Sequence, residues 1–231
     1  MLGKFSKLLA VAVTSLTVSS VSHAAIINLT ATADGDVQTF GGDSVNTTSN
    51  RIAITQSGGL IRNGIFEFDL SAVDDGATIN SVTFSVMATR FVSNTPSNPT
   101  SAVHLFGYNG DGVVNIDDYD ASATQIYSST VPTGGVDGDL FSFTLTDFAP
   151  VADALLGNLF TIRFETDSFA SFNFASIDDT SFDYLFPSLS IDYTVSQTNP
   201  NPNPDPVSAP AMAGFLSLAL GGIFLRNRRK A

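Results

Sequence analysis

The feature that most constrains the fold of this chain is a period-two alternation of apolar and polar residues, which recurs between residues 26 and 195. Within residues 82–88, for example, Val82, Phe84, Val86 and Ala88 alternate with Thr83, Ser85 and Met87. Successive side chains of a strand point to opposite faces, so this pattern predicts strands with one buried face. The same alternation recurs at residues 141–145, 161–165 and 189–195.

Turn signals separate these segments, among them Asp34-Gly35, Asp75-Gly76 and Gly134-Gly135. One helix-like insert runs from Pro150 to Leu156, with proline at its first turn and Gly157 at its end. Short strands at this spacing predict an all-β fold, an antiparallel β-sandwich with one short helix. We expect one such domain over residues 25–195, between a signal peptide and a sorting tail.

Composition excludes several kinds of site. The chain has no cysteine, so it lacks disulfides, a catalytic thiolate and thiolate ligands for zinc. Between Lys7 and Arg226 only four basic residues oppose all 22 acidic ones. Nucleic-acid binding depends on lysine and arginine neutralising phosphates, so we expect no nucleic-acid partner. Cations are the expected small partners.

The first 24 residues are typical of a signal peptide. Lys4 and Lys7 precede an apolar stretch over residues 8–18, which is too short to span a membrane. Ser22 and Ala24 then fit the small residues of a cleavage site, so signal peptidase is expected to cut after Ala24. The alternative is an uncleaved anchor. Either reading predicts export through the secretion machinery.

The C-terminal residues change character abruptly. A stiff Asn/Pro-rich linker over residues 196–206 precedes Val207, Ser208, Ala209 and Pro210. An apolar run over residues 211–225 follows, long enough for a marginal transmembrane helix. Basic residues on the cytoplasmic side would anchor that helix. They are Arg226, Arg228, Arg229 and Lys230.

This order of short motif, apolar helix and basic end resembles the PEP-CTERM sorting signal, with Val-Ser-Ala-Pro in place of the usual Val-Pro-Glu-Pro. The resemblance covers roughly the last 25 residues and implies an exosortase partner. It also implies transient anchoring in the inner membrane of a Gram-negative bacterium, then release to the cell surface or extracellular matrix. An ordinary tail anchor is the alternative.

Segments of the middle domain resemble DNRLRE-type carbohydrate-binding domains, which are jelly-roll sandwiches. This resemblance implies a jelly roll and a polysaccharide partner, but it carries over no sugar-binding residue. The absence of tryptophan removes the best platform for stacking a sugar ring. The matching segments are residues 33–37, 65–71, 76–82, 174–177 and 187–191, with the helix-like insert before residues 158–160.

Residues 107–118 follow the spacing of an EF-hand or dockerin calcium loop. Gly112 is at the sharp turn, and position one is Gly107 instead of aspartate. The flanking segments predict strands, whereas such loops lead into helices. Two readings stay open: a weak calcium site and a polar loop between strands. The candidate ligands are Asn109, Asp111, the Val113 carbonyl, Asn115 and Asp118.

Catalytic groups are scarce. His104 is the one histidine left after signal cleavage and is expected at the surface, and no nucleophile elbow accompanies it. Glu67 and Glu165 are expected on solvated strand faces, where a carboxylate-based glycan-degrading site would need them. Two further interpretations are a polar groove on the concave face and ordinary cross-strand pairs, formed by Arg62, Arg163, Glu67 and Asp69.

The leading interpretation is a non-enzymatic surface or matrix protein associated with exopolysaccharide. The alternative is a carbohydrate-binding module for an external polysaccharide, and a glycan-degrading enzyme comes third.

Overall fold

The computed structural model describes residues 22–39, 41–89, 93–94, 100–132, 137–167, 170–180 and 185–196. They belong to one compact unit, residues 21–196. Most of the predicted signal peptide and linker, and all of the sorting tail, lie outside the described residues. Those expectations therefore stay predictions.

Thirteen strands, one 3-10 turn and one short α-helix occur in the described ranges. The strands are β1 (Ser22–Thr30), β2 (Ala33–Gln38), β3 (Ser44–Asn46), β4 (Arg51–Ser57), β5 (Leu60–Asp69), β6 (Thr78–Met87), β7 (Ser93–Asn94), β8 (Thr100–Asn109), β9 (Thr124–Pro132), β10 (Leu140–Thr144), β11 (Leu159–Glu165), β12 (Ala170–Ala175) and β13 (Ser188–Ser196). The 3-10 turn is Ile116–Tyr119, and α1 is Ala149–Ala154.

The strands form two antiparallel sheets. The smaller sheet has the order β1-β13-β6-β10. In the larger sheet the order is β7-β12-β4-β5-β11-β8-β9, with β2 also paired to β5 and β3 to β2. The predicted all-β sandwich with one short helix is confirmed at this level. Apart from the pairs β2–β3, β4–β5 and β8–β9, each pairing joins strands that are not consecutive in the chain, so long-range packing contributes much of what holds the sheets together.

Phenylalanine fills the space between the sheets. The rings of Phe66 and Phe84 lie 5.0 Å apart and link the two sheets through the core. Phe164 is 5.3 Å from Phe174 and 5.6 Å from Phe143. A fully buried phenylalanine contributes about 2–3 kcal/mol, so these rings stabilise a domain that has no disulfide. The predicted alternation is confirmed in β6, where Val82, Phe84 and Val86 are fully buried.

The helix α1 confirms the predicted insert to within two residues. Pro150 lies in its first turn, where the missing N–H has no intrahelical partner to lose. Val151 and Ala154 are buried against the core. No helix in the described ranges has the length and apolar character needed to cross a membrane.

Candidate functional site

The connection from β8 to β9, residues 110–123, lies over the outer face of the larger sheet. Its Val114 packs with Val37 of β2 and Ile65 of β5 in a small hydrophobic cluster. Ala33 and Tyr119 pack against this cluster. We call residues 110–123 the covering loop. Its apolar contacts hold it on the outer face of the sheet, which would be exposed to solvent if the strands alone determined its surroundings.

Glu67 lies beneath the covering loop and is only 3% exposed. Its Oε2 accepts hydrogen bonds from Thr161 Oγ1 at 3.1 Å and from the backbone N–H groups of Asp111 at 3.2 Å and Gly112 at 3.1 Å. The expectation of a solvated Glu67 is wrong, because the loop covers the face to which it points. The close approach of the loop to Glu67 also requires glycine at position 110, because a Cβ there would lie 2.3 Å from Glu67 Oε2.

Arg163 holds the far half of the covering loop and is 8% exposed. One guanidinium nitrogen donates to the carbonyl oxygens of Asp118 at 3.1 Å and Ala121 at 2.9 Å. Nε donates to Glu165 Oε1 at 2.6 Å, and the guanidinium carbon lies 5.3 Å from the centre of the Phe106 ring. The planar guanidinium of Arg163 therefore donates hydrogen bonds to the loop carbonyls and at the same time packs on the face of the Phe106 ring.

Asn115 and Asp118 form a reciprocal capping box at the N-terminal end of the 3-10 turn. Asn115 Oδ1 accepts from Asp117 N at 2.7 Å, and Asp118 Oδ2 accepts from Asn115 N at 2.8 Å. The Tyr108 hydroxyl donates to Asp118 Oδ1 at 2.7 Å. Burial raises the pKa of Tyr108 well above its ordinary value, and the hydrogen bond to the Asp118 carboxylate raises it further. Tyr108 thus stays a neutral donor to the loop.

The predicted calcium ligands already have roles in this arrangement. Gly107 belongs to β8 and faces the core, where a Cβ would meet the Phe160 ring at 3.0 Å. Asp111 Oδ1 accepts from Val113 N at 3.0 Å, and the two carboxylate oxygens of Asp118 accept from Tyr108 and Asn115.

Asn109 is the exposed last residue of β8, and the Val113 carbonyl accepts from Asn115 Nδ2 at 3.4 Å. No group of three or more His, Asp or Glu side chains suited to a metal occurs in the described ranges. In this geometry the polar side chains of the loop accept and donate hydrogen bonds within the loop, and Asp118 also accepts from Tyr108 of β8.

A cleft of about 510 Å³ opens between the end of β8, the end of the covering loop and α1. Residues with hydroxyl, amide and carboxylate side chains line it, and such a mixture suits a hydroxylated ligand. This cleft was not predictable from the sequence, because its walls meet only in the folded chain. Its lining includes Tyr108, Asn109, Ser122, Thr124 and Asp153.

His104 takes part in a second polar arrangement on the same sheet. Its Nδ1 lies 3.0 Å from Ser128 Oγ, and its Nε2 lies 3.4 Å from Asp167 Oδ2. The residue types match a hydrolase triad. Ser128 nevertheless lies inside strand β9, directly opposite His104, and not on the sharp strand-to-helix turn that exposes a nucleophile. Ser128 and Asp167 are both exposed, as expected for surface groups.

Asp34 lines a smaller cavity of about 340 Å³ near Gly112 and Asp178. It is 4% exposed, and its Oδ2 accepts from Ile177 N at 2.8 Å. Burial raises the pKa of Asp34 to about 7 despite that hydrogen bond, and the nearby Asp178 charge adds to the rise. The neighbouring Asp36 is buried with Arg62, whose Nε lies 3.2 Å from Asp36 Oδ1. The predicted cross-strand pairing of Arg62 is therefore found with Asp36.

The other predicted site residues are distributed as follows. Ser22 and Ala24 belong to β1, opposite Ser196 and Thr194 of β13, so cleavage after Ala24 would shorten an edge strand. Asp69 is exposed at the end of β5 and accepts from Ser71 N at 2.8 Å. Outside the described residues lie Val207, Ser208, Ala209 and Pro210, and also Arg226, Arg228, Arg229 and Lys230.

No known family model matches this chain, and no curated protein shows significant sequence similarity to it. The two family resemblances therefore rest on the quoted segments alone.

Proposed function

We propose that this chain is an exported, non-enzymatic surface or matrix protein that an exosortase processes and that associates with exopolysaccharide. Its N-terminal segment acts as a helical signal peptide, and residues 211–225 form the temporary membrane helix. The sandwich, proposed to be a jelly roll, is then retained at the cell surface or in the extracellular matrix. The ordered sequence of motif, apolar run and basic end supports this route.

The observation that supports a structural rather than a catalytic role is that the buried polar side chains are hydrogen-bonded to the protein itself. Glu67 accepts three hydrogen bonds from the covering loop and β11, and Arg163 donates to two loop carbonyls. A catalytic carboxylate needs access to substrate, whereas these groups are enclosed and bonded to the protein. Their geometry supports a rigid sandwich surface rather than a reaction centre.

The cleft beside Tyr108 favours a second candidate, a carbohydrate-binding module for an external polysaccharide. Tyr108 lines this opening together with Asp153 and Asn109, which carry a carboxylate and an amide. Sugars are commonly held by an aromatic ring together with such planar polar groups. Loss of glycan retention on Asp153→Ala substitution, with the fold intact, would favour this candidate.

The export proposal is tested by the intact mass of the native protein recovered from the cell surface or medium. A normal strain is compared with one that lacks its exosortase. We expect loss of the segment after about residue 207 only where the enzyme is present, together with loss of residues 1–24 in both strains. A mass that retains residues 226–231 in both strains would overturn the sorting proposal and make the chain a tail-anchored protein.

A further inference from the structure

We propose that the outer face of the four-stranded sheet is a hydroxyl lattice that binds an uncharged polysaccharide. The inference rests on the proposed association with exopolysaccharide and names the surface and the chemical class of glycan that would carry it. It places the glycan on the side of the sandwich opposite the covering loop and its cleft.

The lattice follows from the strand register. Leu29, Leu189, Phe84 and Phe143 lie side by side across the four strands and pack toward the core. Because side chains alternate, the rows on both sides of this apolar row point outward. One outward row is Thr30, Ser188, Ser85 and Ser142, and the next is Asn28, Ser190, Thr83 and Thr144. Seven of these eight side chains carry a hydroxyl, and the eighth carries an amide.

The spacing of the rows is set by the sheet. Neighbouring strands lie roughly 4.8 Å apart, and alternate residues along a strand roughly 6.8 Å apart. Ser85 Oγ lies 3.0 Å from Ser142 Oγ, and Thr83 Oγ1 lies 3.3 Å from Thr144 Oγ1. A hydroxyl provides one donor and two acceptor sites, so each such pair keeps one donor and acceptor capacity for a ligand. The β-branched threonines are stiff, so the lattice loses little freedom on binding.

The near absence of charged side chains on this face favours an uncharged partner. Among the described outward side chains of these four strands, Asp192 is the one carboxylate, and it accepts from Asn80 Nδ2 at 3.1 Å. The rest of the domain is strongly acidic and so repels anionic glycans, and the described outward side chains of these four strands include no arginine or lysine to attract them. A neutral glycan, whose hydroxyls both donate and accept, complements the lattice without a charge partner.

The strength of binding is expected to depend on polymer length. A hydroxyl hydrogen bond made in exchange for water contributes only about 0.5–1.5 kcal/mol. A short oligosaccharide that meets a few hydroxyls therefore binds weakly. A long chain presents the same groups repeatedly, so detachment of one stretch leaves others bound. Such a surface suits retention in a polymer network better than capture of a free sugar.

The test is native gel electrophoresis of the purified protein in gels that contain hydroxyethyl cellulose as the neutral glycan or polygalacturonate as the anionic one. The face variant carries Thr83→Val and Thr144→Val, which remove two hydroxyls and keep side-chain shape and strand preference. Ser142→Ala is a second face variant, in case the double variant loses stability. Thr130→Val on the exposed surface of β9 is the matched control, and Asp153→Asn tests the cleft.

We expect retardation by the neutral glycan to weaken about fivefold or more in the double variant and about twofold or more in Ser142→Ala, and to stay unchanged in Thr130→Val and Asp153→Asn. Thermal unfolding confirms that each variant is folded. Equal retardation of face variants and unaltered protein, retardation by polygalacturonate alone, or loss of binding only in Asp153→Asn would each overturn the inference. The assay uses purified protein from whichever cell fraction contains it and depends neither on release nor on tail cleavage, so its failure is distinguishable from failure of the export proposal.

Discussion

Glu67 and Thr161 lie directly opposite each other on β5 and β11, and the Thr161 hydroxyl donates to the Glu67 carboxylate across a distance of 3.1 Å. The same carboxylate oxygen accepts from two N–H groups of the covering loop. The pair therefore joins the sheet to the loop above it. Loss of the carboxylate would leave three donors facing a buried space without an acceptor.

The first prediction concerns that carboxylate. Glu67→Ala is expected to lower the free energy of unfolding by about 2–4 kcal/mol, because a buried donor left without a partner costs about 1–3 kcal/mol. Glu67→Gln should cost less, since its amide oxygen still accepts. Urea unfolding measures the loss, and hydrogen exchange should accelerate at the Asp111 and Gly112 amides. Asp75→Ala, at an exposed position, is the control, and an equal loss there would contradict the assignment.

Much of the sandwich was predictable, since alternation in β6 and β13 places residues such as Phe84 and Ile191 inside. The burial of Glu67 was not, because it depends on a loop 44 residues away that Val114 fastens to the sheet. No local pattern encodes such a contact. The core-facing position of Gly107 was predictable, because the alternation that places Val103 and Leu105 on the core face continues to residue 107.

The second prediction uses that glycine. Gly107→Asp restores the first ligand of a calcium-loop pattern, yet we expect it to destabilise the domain by several kcal/mol, because the carboxylate would enter the core against Phe160. Calcium should not restore the lost stability. Gly76→Ala is the matched control, since a Cβ there meets nothing within 4 Å. Rescue of Gly107→Asp by millimolar calcium would show that residue 107 can face a metal.

Calcium binding by the unaltered protein is a separate question. Because Asp118 and Asp111 already accept hydrogen bonds within the loop, we expect calorimetric titration with calcium at millimolar concentration to give no binding heat. Thermal unfolding should likewise be the same in calcium and in chelator. A saturable heat that Asp111→Asn abolishes would instead favour the calcium-loop reading.

The next prediction concerns the loop carbonyls held by Arg163. Arg163→Lys keeps the charge but cannot present the planar guanidinium that donates to the Asp118 and Ala121 carbonyls while packing on Phe106. We expect a stability loss of about 1–3 kcal/mol and faster hydrogen exchange in residues 116–122. Arg51→Lys is a suitable control, because Arg51 is a half-buried arginine on β4 of the same sheet. Similar losses in the two variants would mean that the guanidinium shape is unimportant.

The last prediction is a pH dependence caused by Asp34. Its pKa is about 7 in the folded domain and near the ordinary 3.8 when unfolded. Between these values the unfolded chain releases a proton that the folded domain keeps, so rising pH favours unfolding. Stability from this group is full below about pH 4 and falls by up to about 4 kcal/mol as pH rises to 7. Burial raises the pKa of Asp36 too, so it acts in the same direction.

Urea unfolding of the unaltered protein and of Asp34→Asn at several pH values between 4 and 8 measures this contribution. The asparagine can still accept from Ile177 N but cannot titrate, so the stability of this variant relative to the unaltered protein should increase with pH. Asp74→Asn, at an exposed position, is the control for removal of a carboxylate outside the buried sites. Parallel profiles for Asp34→Asn and the unaltered protein would mean that Asp34 titrates alike in the folded and unfolded states.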